Sequence, residues 1–267
     1  YYYSARGDFG LFAASYYPEE NTVRFSSEET AEEMKQWKDK KGRVVSIISE
    51  EKQDPVPQAY DLTELQRNAN IALGFSAKET LDTLQRLYEV HKIVTYPRTD
   101  SRYITPDIVP TLPERISALS GTIFSRVVDE YLEKGFVSDN PRFVDETKVS
   151  DHHAIIPTVN VADAEFGQLP SGEQKILSLI TARFISALGD AAVRSETELE
   201  FTCADTVFKA KAKVLKEKGW RDIQDWIMGS NAERADSEND EEEQSGNADL
   251  LAYIAALTKG KSYPLQD

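Results

Sequence analysis

Two short stretches concentrate the side chains able to do chemistry. In the first, Lys92-Ile93-Val94-Thr95-Tyr96-Pro97-Arg98-Thr99-Asp100-Ser101-Arg102-Tyr103, a β-prone run ends at a proline that pushes the residue before it into extended geometry. Tyr96 and Arg98, two positions apart, then share a face. A phenol with a pKa of about 10 is only about 0.1% ionised at pH 7, a shortfall of roughly 4 kcal/mol, so a nucleophilic tyrosine needs cationic or hydrogen-bonding help. The planar fork of Arg98 suits the phenolate or the phosphate it attacks. Taken alone, the pattern is more often a structural tyrosine at a strand end beside a surface arginine, and the chain holds 12 tyrosines. The second stretch, Ser150-Asp151-His152-His153-Ala154-Ile155-Ile156-Pro157-Thr158, holds two of the chain's 3 histidines. With no cysteine nearby and no HExxH spacing, the pair suits a phosphate hydrogen bond better than zinc. His91, at a helix end, reads as a dipole partner.

The elements that must position these residues follow from periodicity. From Asp61 to about Ala192 the period is helical. Thr63-Glu64-Leu65-Gln66 and Ser76-Ala77-Lys78-Glu79 read as capping boxes, Gly74 as a stop, and Leu81, Leu84, Leu87 and Tyr88 as the stripe of a second helix. Helix, turn, helix and the short run Lys92–Tyr96 suit a winged-helix type of unit. Further helices are predicted over 113–119, 125–134 and 172–188. Residues 1–60 read mostly as β, with a hairpin joining 11–17 to 22–25, a helix through Ala31, Met34 and Trp37 capped by Gly42, and a strand over 43–48. Two prolines within 53–58 break regular structure. After Val193 the alternation of strands returns, and over 206–215 apolar residues alternate with lysine, giving one greasy face and one basic face. The fold class is therefore α+β in two domains. A discontinuous β-rich domain of residues 1–59 and 195–267 receives an inserted, mainly helical, winged-helix-like domain of residues 60–194 that carries the tyrosine.

Composition adds boundaries. The 267 residues carry 46 acids and 31 bases, a net charge of -15 that argues at first against nucleic acid. More than half of it falls in Asp225 to Asp249, with nine acids and one base, and the apolar-poor part over about 229–249 reads as a solvated loop. By contrast Arg86 to Arg102 has four bases against two acids, and Lys209 to Arg221 six against one. A single cysteine, Cys203, excludes an internal disulfide framework. No apolar run approaches the roughly 20 residues of a membrane span, so no membrane is expected and a reducing, cytoplasmic setting is. The chain opens Tyr1-Tyr2-Tyr3 without an initiator Met, which suggests a piece of something longer.

Together VTYPRTDSRYI over Val94 to Ile104, DLTELQRNAN over Asp61 to Asn70, GFSAKETLDTLQRLYE over Gly74 to Glu89 and DHHAIIPT over Asp151 to Thr158 resemble type IA DNA topoisomerases. The Tyr-Pro-Arg form and the double histidine are most similar to the topoisomerase III branch. The resemblance runs from about Tyr2 to Tyr263, with GWRDI over Gly219 to Ile223 in the expected place. It implies that Tyr96 is the nucleophile that joins a 5′ phosphate and frees a 3′ hydroxyl, in an ATP-independent exchange of one ester for another. It implies further that Arg98 positions the phosphate and the tyrosine, and that His152 contacts a DNA phosphate. Lesser DNA contacts are expected from Arg102, Thr99, Ser101, His153, Gln66 and Arg67. The helical block corresponds to the family's tyrosine domain and the β pieces to its arch.

The family's Toprim domain, whose carboxylates bind Mg²⁺, and its enclosing helical domain have no counterpart in the sequence. The expectation is a fragment that holds no metal and does not turn over alone, and that works as a monomer with those domains in a nucleoid-associated parent enzyme. Its partners would be single-stranded DNA and negatively supercoiled or catenated DNA. The alternative is a non-catalytic module that binds single-stranded nucleic acid.

Overall fold

The computed structural model describes residues 2–8, 13–19, 22–26, 28–37, 40–223, 257 and 262–264. The acidic segment over 229–249 lies outside them. The described residues fall into two compact units, one within Tyr1–Gln53, Val193–Glu217 and Glu238–Asp267, the other within Asp54–Ala192 and Lys218–Ser237.

The first unit is antiparallel sheet. Its elements are β1 (Arg6–Asp8), β2 (Ala13–Tyr17), α1 (Glu28–Met34), β3 (Lys41–Asp54), β4 (Ala192–Cys203), β5 (Thr206–Glu217) and β6 (Ser262–Pro264), with strand order β1-β2-β5-β4-β3-β6. β4 and β5 form the spine. The two residues between them, Ala204 and Asp205, have φ of 52° and 59°, the left-handed pair that a tight hairpin turn requires. The register then sorts the side chains by face. Thr197 faces Ala212, Leu199 faces Ala210 and Phe201 faces Phe208 on the buried side, where Ala14, Tyr16, Val44 and Cys203 complete the core. On the other side Glu196 faces Lys213, Glu198 faces Lys211 and Glu200 faces Lys209.

Three expectations change here. The basic face of β5 is neutralised across the ladder: Lys211 lies 2.9 Å from Glu198, Lys209 3.3 Å from Glu200, Lys213 3.6 Å from Glu196, and Lys52 of β3 pairs with Glu196 as well. Gly42 does not cap α1, because the chain turns through Lys35–Trp37 and Gly42 already belongs to β3, opposite Tyr263. Residues 22–25 make only isolated bridges, Glu19 with Thr22 and Tyr3 with Phe25, so no second hairpin strand forms there.

The second unit is helical, with α2 (Leu62–Leu73), α3 (Ala77–Glu89), α4 (Leu112–Ser117), α5 (Ser125–Lys134) and α6 (Ser171–Ala187). α6 is the centre of the unit. Eleven of its residues are buried, and α2 and α3 lie on it through Leu65, Ala69, Leu84 and Leu87. α3 starts with a complete capping box between Ser76 and Glu79. α2 does not use the box expected at Thr63, which lies inside the helix. Asp61 is its N-cap and accepts from Glu64 N at 2.6 Å, and Gly74 ends it at φ 72°.

The unit is closed at its base by Gly219 to Arg221. Trp220 Nε1 donates to Asp54 O at 3.1 Å, Arg221 lies 3.0 Å from the Asp54 carboxylate, and Trp220 N donates to Asp190 O at 3.0 Å. Among the described residues no helix is long and apolar enough to cross a membrane.

Candidate active site

The segment that carries Tyr96 is placed by a zipper, where a strand was expected. α3 ends at Val90, and the chain turns back through Lys92 at φ 58°. Ile93 N donates to Leu87 O at 3.0 Å, and Thr158 Oγ1 and Asn160 Nδ2 donate to Lys92 O at 2.7 and 3.0 Å. Val94 then bridges Pro157, the one ladder contact in a run that periodicity reads as a strand. Thr95 locks the register: its N donates to Ile156 O, its Oγ1 donates to Ala154 O at 2.9 Å, and that same oxygen accepts from Ile156 N at 2.9 Å. Ile93, Val94, Ala154, Ile155 and Ile156 are buried, so apolar packing under the zipper fixes what emerges from it.

What emerges is Tyr96 over His152. Their ring centroids are 4.1 Å apart at 37°, and the ring of Tyr88 meets Tyr96 edge-on at 5.5 Å and 85°. Tyr96, His152 and His153 line two neighbouring grooves. Tyr88, Glu89 and Lys92 wall one, while Thr105, Ser150 and Asp151 wall the other. His152 is exposed. His153 is half-buried, and its Nδ1 lies 2.9 Å from Ala154 O. A carbonyl only accepts, so Nδ1 carries the proton. Burial holds the imidazole pKa below its ordinary value of 6.5, with the Arg115 charge also lowering it and the Ala154 bond opposing. At neutral pH His153 is therefore uncharged, with Nε2 an acceptor.

The other sequence-selected residues separate into open and committed groups. Arg98 is exposed and makes no hydrogen bond or ion pair with any described residue, and the same is true of the Lys92 ammonium. Thr99 and Ser101 are buried: Thr99 Oγ1 donates to His152 O at 2.8 Å, and Ser101 Oγ donates to Lys148 O at 2.9 Å. Their hydroxyls shape the loop around His152 and do not face solvent. Arg102 Nε donates to Asp61 Oδ2 at 2.7 Å, Arg67 pairs with Glu64 at 2.7 Å, and Gln66 Nε2 donates to Ala77 O at 3.0 Å. Arg102 and Arg67 are thus already balanced by carboxylates. Periodicity placed Tyr88 in the apolar stripe of α3 and gave no sign that it would meet Tyr96. Lys92 is legible in sequence as the start of a β-prone run and as part of a locally basic stretch.

No group of three or more His, Cys, Asp or Glu among the described residues is arranged to hold a metal ion. What the arrangement offers is a phenol packed on an imidazole, two open cations nearby in sequence, and grooves on both sides able to take an extended chain.

A protein-family profile described as DNA topoisomerase matches residues 2–264. DNA topoisomerase 3 of Bacillus licheniformis is 40% identical over 228 residues, covering 83% of this chain and 30% of that protein. DNA topoisomerase 3 of Bacillus subtilis is 38% identical over 239 residues, covering 90% of this chain and 31% of that protein. The chain thus spans under a third of the length of these relatives. Full-length topoisomerase I from Thermotoga maritima superimposes with a TM-score of 0.62 over 97% of this chain and 38% of that structure, at 20% sequence identity, a likeness of fold.

Proposed function

The chain belongs to the type IA DNA topoisomerase family, in its topoisomerase III branch, and on that premise we propose that Tyr96 is the nucleophile that cleaves and reseals one DNA strand. The phenol oxygen forms a bond to phosphorus and loses its proton, the P–O3′ bond breaks, and the 3′ oxygen leaves as a hydroxyl after taking up a proton. One phosphodiester replaces another, so the reverse attack reseals the strand without ATP. Arg98 is the planar cation for the phosphate, and His152 supplies an N–H to a phosphate oxygen. The observation that carries this reading is the packing of Tyr96 on the exposed imidazole of His152 at 4.1 Å, with grooves on either side.

The helical unit would act as the tyrosine-bearing, winged-helix-like domain and the sheet unit as the arch that spans the strand gate. The parent enzyme would work on single-stranded, negatively supercoiled or catenated DNA in the nucleoid, as a monomer. Mg²⁺, when bound, would offset charge at the scissile phosphate; its carboxylate ligands would come from a Toprim domain, and this chain alone would not turn over.

The test is covalent trapping on labelled single-stranded oligonucleotides with Mg²⁺, using the parent enzyme and the chain alone. The parent should become linked to 3′-labelled DNA and should release a 5′-labelled fragment ending in a hydroxyl. Tyr96→Phe should form no adduct. An adduct in Tyr96→Phe, or retention of the 5′ label, overturns the assignment. Mg²⁺-dependent relaxation by the chain alone overturns the claim that it is incomplete, and binding without any adduct in the parent favours a non-catalytic module.

A further inference from the structure

Glu173, in the first turn of α6, is a carboxylate with 3% exposure outside the grooves described above. Burying an ionised carboxylate is costly unless charge partners come with it. Arg86 supplies a charge, its Nε lying 2.7 Å from Oε1, and His91 sets its Nε2 2.8 Å from Oε2. The second contact is close but not aligned as a hydrogen bond, since Oε2 is buried without a hydrogen-bond partner.

Both partners sit at one place in the chain. Arg86 is in the last turn of α3, and His91 follows its cap, with His91 N donating to Arg86 O at 3.2 Å. Between and beside them lie Tyr88, whose ring abuts Tyr96, and Glu89 and Lys92, which line the same groove. The turn into the Tyr96 segment is made by Lys92 in the left-handed region at φ 58°. A side chain there is strained and persists only where the surroundings over-determine it. The zipper holds the carbonyl side of that turn, and Glu173 holds the helix side.

We propose that Glu173 is a positioning residue for the Tyr96 reaction: by gripping Arg86 and His91 from α6 it fixes the turn at Lys92, and with it the groove wall that Tyr88 presents to Tyr96. The inference rests on the reading of Tyr96 as nucleophile. Glu173 makes no contact with Tyr96. It acts through the turn.

The experiment measures single-turnover adduct formation in the parent enzyme at saturating single-stranded oligonucleotide, with oligonucleotide affinity and melting temperature measured on the same samples. Glu173→Gln keeps the shape and removes the charge. It should slow adduct formation about tenfold, as loss of near-attack geometry does, while affinity stays within about twofold. His91→Leu, which sets no polar group against the carboxylate, should reproduce the loss, and His91→Gln, which restores one near the Nε2 position, should recover most of it. Wild-type rates in both Glu173→Gln and His91→Leu overturn the proposal, as does a rate loss matched by an equal loss of affinity. If Glu173→Gln does not fold, His91→Leu and His91→Gln decide alone. Tyr96→Phe runs in parallel: an adduct there overturns the nucleophile assignment, whereas none there together with wild-type rates in both Glu173→Gln and His91→Leu overturns the positioning role alone.

Discussion

The imidazole of His152 and the ring of Tyr96 are brought to 4.1 Å by groups that belong to neither side chain. Thr95, one residue before the tyrosine, bonds the backbone of Ala154 and Ile156, and Thr99, three residues after it, bonds the carbonyl of His152 itself. Two threonines thus clamp two segments far apart in sequence so that a phenol and an imidazole meet at the surface. A site held this way is pre-organised, since the ring contact follows from backbone bonds that form on folding.

Because His152 is exposed, removing its side chain should leave the fold intact and act on chemistry. His152→Ala should lower covalent adduct formation by the parent enzyme about a hundredfold, the scale seen when one donor to a developing oxyanion is lost. The melting temperature should stay at the wild-type value. Retained adduct formation would show that the ring contact is packing only.

His153 is half-buried, and its burial acts on its protonation. Burial depresses its folded pKa below 6.5, so the neutral form is favoured in the folded state. The resulting stability is fully present above the unfolded value of about 6.5 and is lost as pH falls through the lower folded value. In a two-dimensional NMR titration of the imidazole resonances, His153 should titrate below 6.5 and show the Nδ1–H tautomer above that point. A midpoint above 6.5 would sink the assignment. A neutral His153 presents an acceptor at Nε2, which does not bond a phosphate oxygen until it takes up a proton.

Charge neutralisation across β4 and β5 separates two kinds of cation. Lys211 is balanced by Glu198 at 2.9 Å, and the carboxyl of Glu198 is held below its usual value, chiefly by the Lys211 hydrogen bond. Arg98 has no such partner among the described residues. Lys211→Ala should therefore change single-stranded DNA affinity by less than about twofold, as a rim charge already paired does, while Arg98→Ala should weaken it and flatten its salt dependence by about one unit of slope. Equal effects of the two substitutions would mean that the ladder opens to bind DNA.

Much of the helical scaffold is legible because its signals are local. Gly74 at a left-handed stop, Ser76 with Glu79 in a box and the apolar stripe of α3 each depend on residues within one turn. The alternation of Leu199, Phe201 and Cys203 is equally local, and it gives the buried face of β4. What fails is whatever depends on a distant partner. Lysines at every second position of β5 read as a basic surface until the register sets glutamates opposite them. Residues 92–96 have the composition of a strand, but they form a single isolated bridge, Val94 with Pro157, flanked by the backbone bonds of Ile93 and Thr95. Arg102 and Arg67 look available to DNA in sequence, yet Asp61 and Glu64 stand against them. For the tyrosine site the sequence supplies both stretches, and the contact between Tyr96 and His152 is a property of the zipper.

Two glycines with positive φ give a final contrast. Gly74, at φ 72°, has nothing within 4 Å of where a Cβ would stand, so Gly74→Ala should cost only the left-handed backbone penalty, about 1–2 kcal/mol. Gly219, at φ 50°, would set a Cβ 2.6 Å from the carbonyl oxygens of both Asp190 and Ala191. Neither oxygen is the end of a flexible side chain. Both belong to the backbone that Trp220 and Arg221 draw together with Asp54, so relief of the clash would pull apart the Trp220 N to Asp190 O bond. Gly219→Ala should then cost the same backbone penalty plus the steric one, roughly 4 kcal/mol or more, the range reserved for strain at a special backbone position. Urea unfolding followed by tryptophan fluorescence measures both variants, and equal midpoints for the two would overturn the close approach at Gly219.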